Sequence, residues 1–214
     1  MNTEQLIVQL AGRVTAVTPL AAPAARFLRW SFGALACAAL GVAVFHVRPG
    51  LDGIIGRPDF VVTAVLAAGT AGMAAFAALV LAVPGAERSP ALRVAAFALL
   101  TLWGGICVGA VMRSGHGLSD RIEWPICFLR VVAIGLVPGW WLFAMLRRAA
   151  PLRRGAASAL AALAATAIGS GAMQFICPLD APGHALLGHY GPSLVVTGVG
   201  AWAAAALLPP WRRG

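Results

Sequence analysis

Charged side chains are scarce in this sequence. They make up 11% of its 214 residues, whereas 60% of the residues are hydrophobic and the mean hydropathy is +0.86. An ordinary water-soluble domain has about a quarter of its residues charged. The composition therefore excludes a separate soluble enzyme and predicts a multi-span membrane protein.

Motifs that carry enzyme chemistry are also missing. The sequence has no paired carboxylate site, no serine elbow and no glycine-rich phosphate loop. Its four cysteines include no C-x-x-C pair, so their spacing predicts neither a zinc ribbon nor a disulfide scaffold. We therefore predict that the protein is not an enzyme and needs no obligatory cofactor.

Six long runs poor in charge predict an all-α bundle of six transmembrane helices, because a bilayer core of about 30 Å requires about 20 apolar residues per helix. The predicted spans are Phe27–Val47, Phe60–Val83, Ala91–Val111, Cys127–Leu146, Ala157–Ile176 and Ala181–Leu208. The chain then divides into a cytoplasmic amphipathic segment (1–26), a membrane domain (27–208) and a cytoplasmic tail (209–214). No charged side chain lies near the middle of a predicted span, which argues against a transporter or proton pump.

The net charge of +9 comes from 16 basic residues, all of them arginine, against seven acidic ones. With the N-terminus inside, most of the arginines lie on the cytoplasmic side, as is typical of membrane proteins. These are Arg13, Arg26, Arg29, Arg88, Arg93, Arg147, Arg148, Arg153, Arg154, Arg212 and Arg213. We therefore predict that both termini are cytoplasmic and that the positive charge contacts lipid headgroups rather than nucleic acid.

One short break between apolar runs concentrates the chemically active side chains. The stretch Phe175–Tyr190 reads F-I-C-P-L-D-A-P-G-H-A-L-L-G-H-Y. Its Cys177, Asp180, His184 and His189 are side-chain types that bind soft or borderline metals, and a thiol there could also be oxidised. In the predicted topology this break faces outward.

The geometry of a regular helix weakens this stretch as a metal site. His184 and His189 are five residues apart, which separates them by about 140° around the axis of a regular helix. This angle argues against a site in which both histidines bind one metal ion. Asp180 can cap the sixth helix, and Pro192 should kink it near Gly188. The alternative role for the histidines is interfacial hydrogen bonding.

Two cysteines are predicted to lie at the same depth. Cys127 begins the fourth span and Cys177 follows the fifth, so antiparallel packing would place both thiols near the outer face. They could form a disulfide, share a metal, or be two small buried side chains.

Cys37 and Cys107 are interpreted as packing residues. Arg130, one turn inside its span, could snorkel or pair with Asp180.

The N-terminal segment has apolar residues at helical spacing, with Asn2 or Thr3 able to cap the helix. They are Leu6, Ile7, Leu10, Ala11 and Val14. The pattern predicts a short amphipathic helix. It could lie on the lipid surface or dock a protein partner, and the sequence leaves both open.

These segments together resemble a known family. The run C-P-L-D-A-P-G-H-A-L-L-G-H-Y-G-P, from Cys177 to Pro192, is similar to the signature of the NrsF family, six-helix bacterial inner-membrane anti-sigma factors. The L-I-V-Q-L-A run at Leu6–Ala11 and the P-L-A-A-P-A-A-R run at Pro19–Arg26 are similar to the family's cytoplasmic start. The fourth span, opening with Cys127, also fits.

The resemblance implies a function. In that family two cysteines, matched here by Cys127 and Cys177, are tied to the response to heavy-metal or oxidative stress, and the cytoplasmic side holds an extracytoplasmic-function (ECF) sigma factor inactive. It implies a transient heavy-metal or zinc ion, with Asp180, His184 and His189 as further candidate ligands. The candidate residues for binding the sigma factor are Leu6, Ile7, Leu10, Arg13, Arg88, Arg147 and Arg148. The alternative is a membrane thiol-redox or metal-handling protein that uses the same outer cluster.

Overall fold

A computed structural model of the chain describes residues 2–12, 19–83, 90–115, 124–149, 151 and 153–207. The regular secondary structure of these residues is helical, and they contain no strand. The helices are α1 (Thr3–Ala11), α2 (Pro23–Phe45), a short 3₁₀ turn (Leu51–Gly53), α3 (Pro58–Leu81), α4 (Ala91–Ser114), α5 (Trp124–Ala149), α6 (Arg154–Ile176), α7 (Pro182–His184), a π-helical segment (Ala185–Tyr190) and α8 (Gly191–Leu207). The all-α prediction is confirmed for this part of the chain.

Five of the six predicted spans correspond to one long apolar helix each. Helices α2 to α6 contain 23 to 26 residues and are long and apolar enough to cross a membrane. The sixth predicted span is helical from α7 to α8, but the π-helical segment divides it and α8 alone has 17 residues. The count of six spans stays a prediction. Helix boundaries differ from the predicted ones by a few residues, as in α2, which begins at Pro23 rather than Phe27.

Helix α6 lies at the centre and packs against α2, α3, α5 and α8. It can occupy this position because it is built largely from small residues, which let neighbouring backbones approach closely. At Gly135 of α5, a methyl group would lie 2.6 Å from the carbonyl oxygen of Ala165 in α6. At Gly169 of α6, a methyl group would collide with the carbonyl oxygen of Val131 in α5. The two glycines therefore allow α5 and α6 to pack backbone against backbone.

Helix α1 is capped as the sequence predicts. Asn2 and Gln5 form a reciprocal pair, in which each backbone N–H donates to the other's side-chain oxygen, at 3.2 and 2.9 Å. This arrangement satisfies N–H groups that have no partner within the helix. The side chains of Leu6, Ile7 and Val8 are exposed. The short helix is confirmed, and its apolar residues are available for a membrane or a protein partner.

Candidate functional site

The close packing of α5 against α6 brings two thiols together. Cys127 lies in the first turn of α5, and Cys177 directly follows α6, which runs antiparallel to α5. Their Sγ atoms are 3.7 Å apart, and the residues are only 3% and 2% exposed. The predicted pairing at one depth is confirmed. Val131, Ile134 and Met173 pack around the pair and shield it from solvent.

Both histidines of the final helical region join the thiols. The Nε2 atom of His184 lies 3.3 Å from the Cys177 Sγ atom, and the rings of His184 and His189 meet edge to face with centroids 5.3 Å apart. One ligand atom from each of Cys127, Cys177, His184 and His189 lies within 4.8 Å of the other three, and all four residues are buried.

Our prediction that the helix would separate the two histidines is wrong. It assumed a regular helix, whereas Ala185–Tyr190 forms a π-helical turn. In a π-helix each hydrogen bond spans five residues, so residues five apart lie nearly one above the other. Pro192 follows this turn and has no N–H group to donate to the preceding turn, which favours such a widening. The predicted kink near Gly188 therefore takes the form of a wide turn that aligns His184 with His189.

Asp180 is not part of this cluster, in contrast to our prediction. Its two carboxylate oxygens accept hydrogen bonds from the guanidinium of Arg48, at 2.8 and 3.0 Å. Asp180 is not the N-cap either, because Ala181 occupies that position. The predicted partner Arg130 instead lies over the ring of Phe45, 5.2 Å from its centroid. Sequence reasoning missed Arg48, which is separated from Asp180 by 132 positions along the chain.

Hydrogen bonds from Arg48 join the end of α2 to the segment that carries Cys177. Its backbone N–H donates to the carbonyl of Phe175 at 2.9 Å, and its guanidinium donates to the carbonyl of Pro178 at 3.2 Å. Two residues earlier, His46 has a φ of 66° and a ψ of 145°, a conformation that residues other than glycine rarely adopt. The backbone is therefore strained at His46, where the chain turns from α2 towards the site.

The surroundings of Cys177 change its proton equilibrium. The pKa of Cys177 is held below its ordinary value of 9.0, chiefly by the hydrogen bond with Cys127. Burial opposes this shift, and the adjacent imidazoles of His184 and His189 add to it. A thiolate is the form that binds metals and reacts with oxidants. The lowered pKa therefore favours the reactive form of the Cys177 sulfur.

The two sulfur atoms have the spacing of ligands in a tetrahedral metal site, and the two imidazoles lie beside them. Tetrahedral coordination with metal–sulfur distances of about 2.3 Å separates two sulfur ligands by about 3.8 Å, close to the 3.7 Å found between Cys127 and Cys177. The Nδ1 atom of His184 and both ring nitrogens of His189 are buried without a hydrogen-bond partner in the described part of the chain. Two thiols and two imidazoles with unused nitrogen atoms form a donor set suited to zinc and softer metals.

The chain was compared with known proteins. Its sequence matches the family described as NrsF, negative regulator of sigma F, over residues 10–209. The chain belongs to the NrsF family. No curated protein and no solved structure matches it. NrsF proteins are negative regulators of a sigma factor, so the chain is a regulator with a sigma factor as its partner.

The candidate residues for the sigma factor are only partly described in this NrsF protein. Leu6 and Ile7 are exposed on α1, and Arg147 and Arg148 are exposed in the last turn of α5. The predicted residues Arg13 and Arg88 and the side chain of Leu10 lie outside the described residues.

The two remaining cysteines of this NrsF protein lie apart from the cluster. Cys107 is buried in α4 and Cys37 is half-buried in α2. Neither belongs to the group of four ligand residues.

Proposed function

We propose that this NrsF protein is an inner-membrane anti-sigma factor that releases an ECF sigma factor when Cys127 and Cys177 bind a soft metal ion or are oxidised. The observation that carries the proposal is the buried group of two thiols and two imidazoles at one end of the helix bundle. A regulator that only held its partner would not need a buried thiol pair beside two histidines that have three ring nitrogens without a hydrogen bond to the described residues.

The proposed topology has six spans, with both termini in the cytoplasm. The five long apolar helices support it, as does the clustering of arginines in segments that would then face inward. The Cys127/Cys177 end of the bundle would face the periplasm. Helix α5 would connect the two sides, because its first turn holds Cys127 and its last turn holds Arg147 and Arg148. At 1.5 Å per residue, its 26 residues span about 39 Å.

A metal ion would be held by Cys127, Cys177, His184 and His189. When bound, it would draw α5, the end of α6 and the π-helical segment towards one point. Binding can shift a conformational equilibrium only by the difference between its affinities for the two conformations. The helix packing that brings the four ligands together would therefore be the one that a metal ion favours.

Oxidation would act on the same pair. A two-electron oxidant would join the sulfur atoms of Cys127 and Cys177 with loss of both thiol protons, leaving the oxidant reduced. The Sγ atoms would have to move from 3.7 Å to about 2.05 Å. Oxidation would therefore shift the start of α5 relative to the end of α6, whereas a metal ion would stabilise the packing in which the four ligands already lie together.

The cytoplasmic readout would use the exposed apolar residues of α1 and the arginines at the end of α5. Leu6 and Ile7 offer an apolar helix face to a protein partner, and Arg147 and Arg148 offer positive charge. Signals at the outer end of α5 would reach the sigma factor through this helix and its neighbours.

The proposal is tested by following the sigma factor in membranes. We expect it to sediment with membranes that contain the protein and to be released by cadmium or oxidant. Cys127→Ser and Cys177→Ser should retain it under both treatments, and the control Cys37→Ser should behave like the parent. Membranes that retained no sigma factor in unstressed cells would contradict the proposal. Repeated thiol turnover or net metal flux in proteoliposomes would favour the alternative redox or metal-handling role.

A further inference from the structure

A cavity of about 400 Å³ adjoins the thiol cluster. Its buried lining includes Cys177 and His189 of the cluster, together with Met173 and Cys107. Its exposed lining includes charged residues from the ends of α3 and α4. Cys177 is only 2% exposed, and among the described residues this cavity offers a route from solvent towards it.

Positive side chains outnumber negative ones at the mouth of this cavity. Arg48 pairs with Asp180 at 2.8 Å, and Arg57 pairs with Asp59 at 2.8 Å. Arg113, exposed in the last turn of α4, lines the same cavity and takes part in no ion pair with the described residues. The two pairs largely cancel, so the described mouth carries one uncompensated positive charge.

We propose that this cavity is an access path that selects small anionic reactants for Cys177, with Arg113 as the selecting residue. The ligand class comprises thiol-reactive species of negative charge, such as anionic oxidants and metal ions carried in anionic complexes. Uncompensated charge beside a narrow opening raises the local concentration of ions of opposite sign and lowers that of like sign. This inference rests on the proposed function for its biological meaning, but the access path can be measured without it.

The test uses the full-length protein in zwitterionic detergent with Cys37, Cys107 and Cys127 replaced by serine, which leaves Cys177 as the only thiol. Two methanethiosulfonate reagents of similar size are compared, one with a sulfonate group and one with a trimethylammonium group. Each rate is divided by the rate of the same reagent with free cysteine.

We expect the anionic reagent to react about three to ten times faster at low ionic strength, with the ratio falling towards one in 1 M salt. Arg113→Gln should bring the ratio close to one. The control Arg130→Gln, which removes a positive charge outside the cavity lining, should leave it unchanged. Ala110→Phe, which narrows the cavity, should slow both reagents.

A ratio of one or less in the parent, or a ratio that Arg113→Gln leaves unchanged, would overturn the proposal. Equal rates in Ala110→Phe and the parent would overturn the cavity as the path. These results leave sigma-factor release untouched, because release is measured separately with metal ions and oxidants. Conversely, anion selectivity in a protein that never releases a sigma factor would contradict the proposed function and support the access path.

Discussion

Arg48 and Asp180 form a bidentate ion pair that joins the end of α2 to the segment directly after Cys177. The side chain of Arg48 is 7% exposed, whereas that of Asp180 is 57% exposed. The buried guanidinium therefore depends on a carboxylate that reaches it from the surface. This pair fixes the position of the loop on which one of the two thiols lies.

Removing either partner of this pair should weaken the site, and removing Asp180 should cost more. Asp180→Ala leaves a buried charge without its partner, so we expect it to destabilise the protein by about 2 kcal/mol, and Arg48→Met by about 1 kcal/mol. The double variant should be no less stable than Asp180→Ala, since the orphaned charge is gone. Unfolding in detergent, followed by circular dichroism, measures these differences.

The control for this prediction is the exposed pair Arg57–Asp59, whose side chains are 52% and 68% exposed. Arg57→Met should change stability by less than about 1 kcal/mol. Equal losses from Arg48→Met and Arg57→Met would show that burial of Arg48 does not matter, contrary to our interpretation.

The glycines between α5 and α6 should not tolerate a side chain. Gly169→Ala would push a methyl group into the Val131 carbonyl, and Gly135→Ala would push one towards Ala165. Because backbone atoms cannot move aside cheaply, we expect each to separate the helices and cost about 1–3 kcal/mol. Gly105→Ala in α4, where a methyl group meets nothing within 4 Å, is the matched control. Comparable losses at all three positions would contradict the close packing.

The π-helical turn should be required for metal binding. Pro192→Ala restores an N–H group and favours a regular helix, in which His184 and His189 would diverge. We expect affinity for zinc or cadmium to fall about tenfold, measured by competition with a chromophoric chelator. Unchanged affinity would contradict a wide turn that depends on Pro192 and is required for metal binding. Gly198→Ala in α8, with open space around it, controls for changes in the same helix.

The lowered pKa of Cys177 should appear in the pH dependence of its reactivity. An ordinary thiol with a pKa of 9.0 loses most of its thiolate, about fiftyfold, between pH 9 and pH 7. Cys177 should stay near its plateau rate over this range. Replacing Cys127 by alanine removes the main cause of the shift and should restore the ordinary decline, whereas Cys37→Ala should not. Alkylation rates of the Cys177 peptide, followed by mass spectrometry, measure this.

The same shift also sets the sign of a stability effect. Since the folded state lowers the pKa of Cys177, this thiolate stabilises the fold fully above the unfolded value of 9.0, and the contribution falls as the pH drops towards the folded pKa. We therefore expect Cys127→Ala to lose more stability relative to the parent at pH 9 than at pH 7. A difference that grew as the pH fell would have the wrong sign for a lowered pKa.

Part of the fold and of the site could be predicted from the sequence. Runs of about 20 apolar residues predict helices α2 to α6 because helix length must match bilayer thickness. The approach of Cys127 to Cys177 follows from antiparallel packing of consecutive helices. Both features depend on the order of the helices along the chain and on their lengths, and not on individual contacts.

The histidine pair and the Arg48 contact could not be predicted in the same way. The alignment of His184 with His189 depends on a local widening of the helix, and a regular periodicity does not include it. The choice of Arg48 rather than Arg130 as the partner of Asp180 depends on how the loop after α2 folds back over the bundle. In both cases the local sequence signal fits several structures. It is a proline after a turn that contains Gly188 and Gly191 in the first case, and a single loop arginine in the second.

One titration tests the central claim most directly. Purified complex of this protein with its sigma factor is titrated with cadmium, while thiolate-to-metal charge-transfer absorption and sigma-factor release are followed together. We predict that both saturate at one cadmium ion per chain and that both disappear in the Cys127→Ser and Cys177→Ser variants. Full absorption at one equivalent with the sigma factor still bound, or release that persists in both variants, would contradict the account.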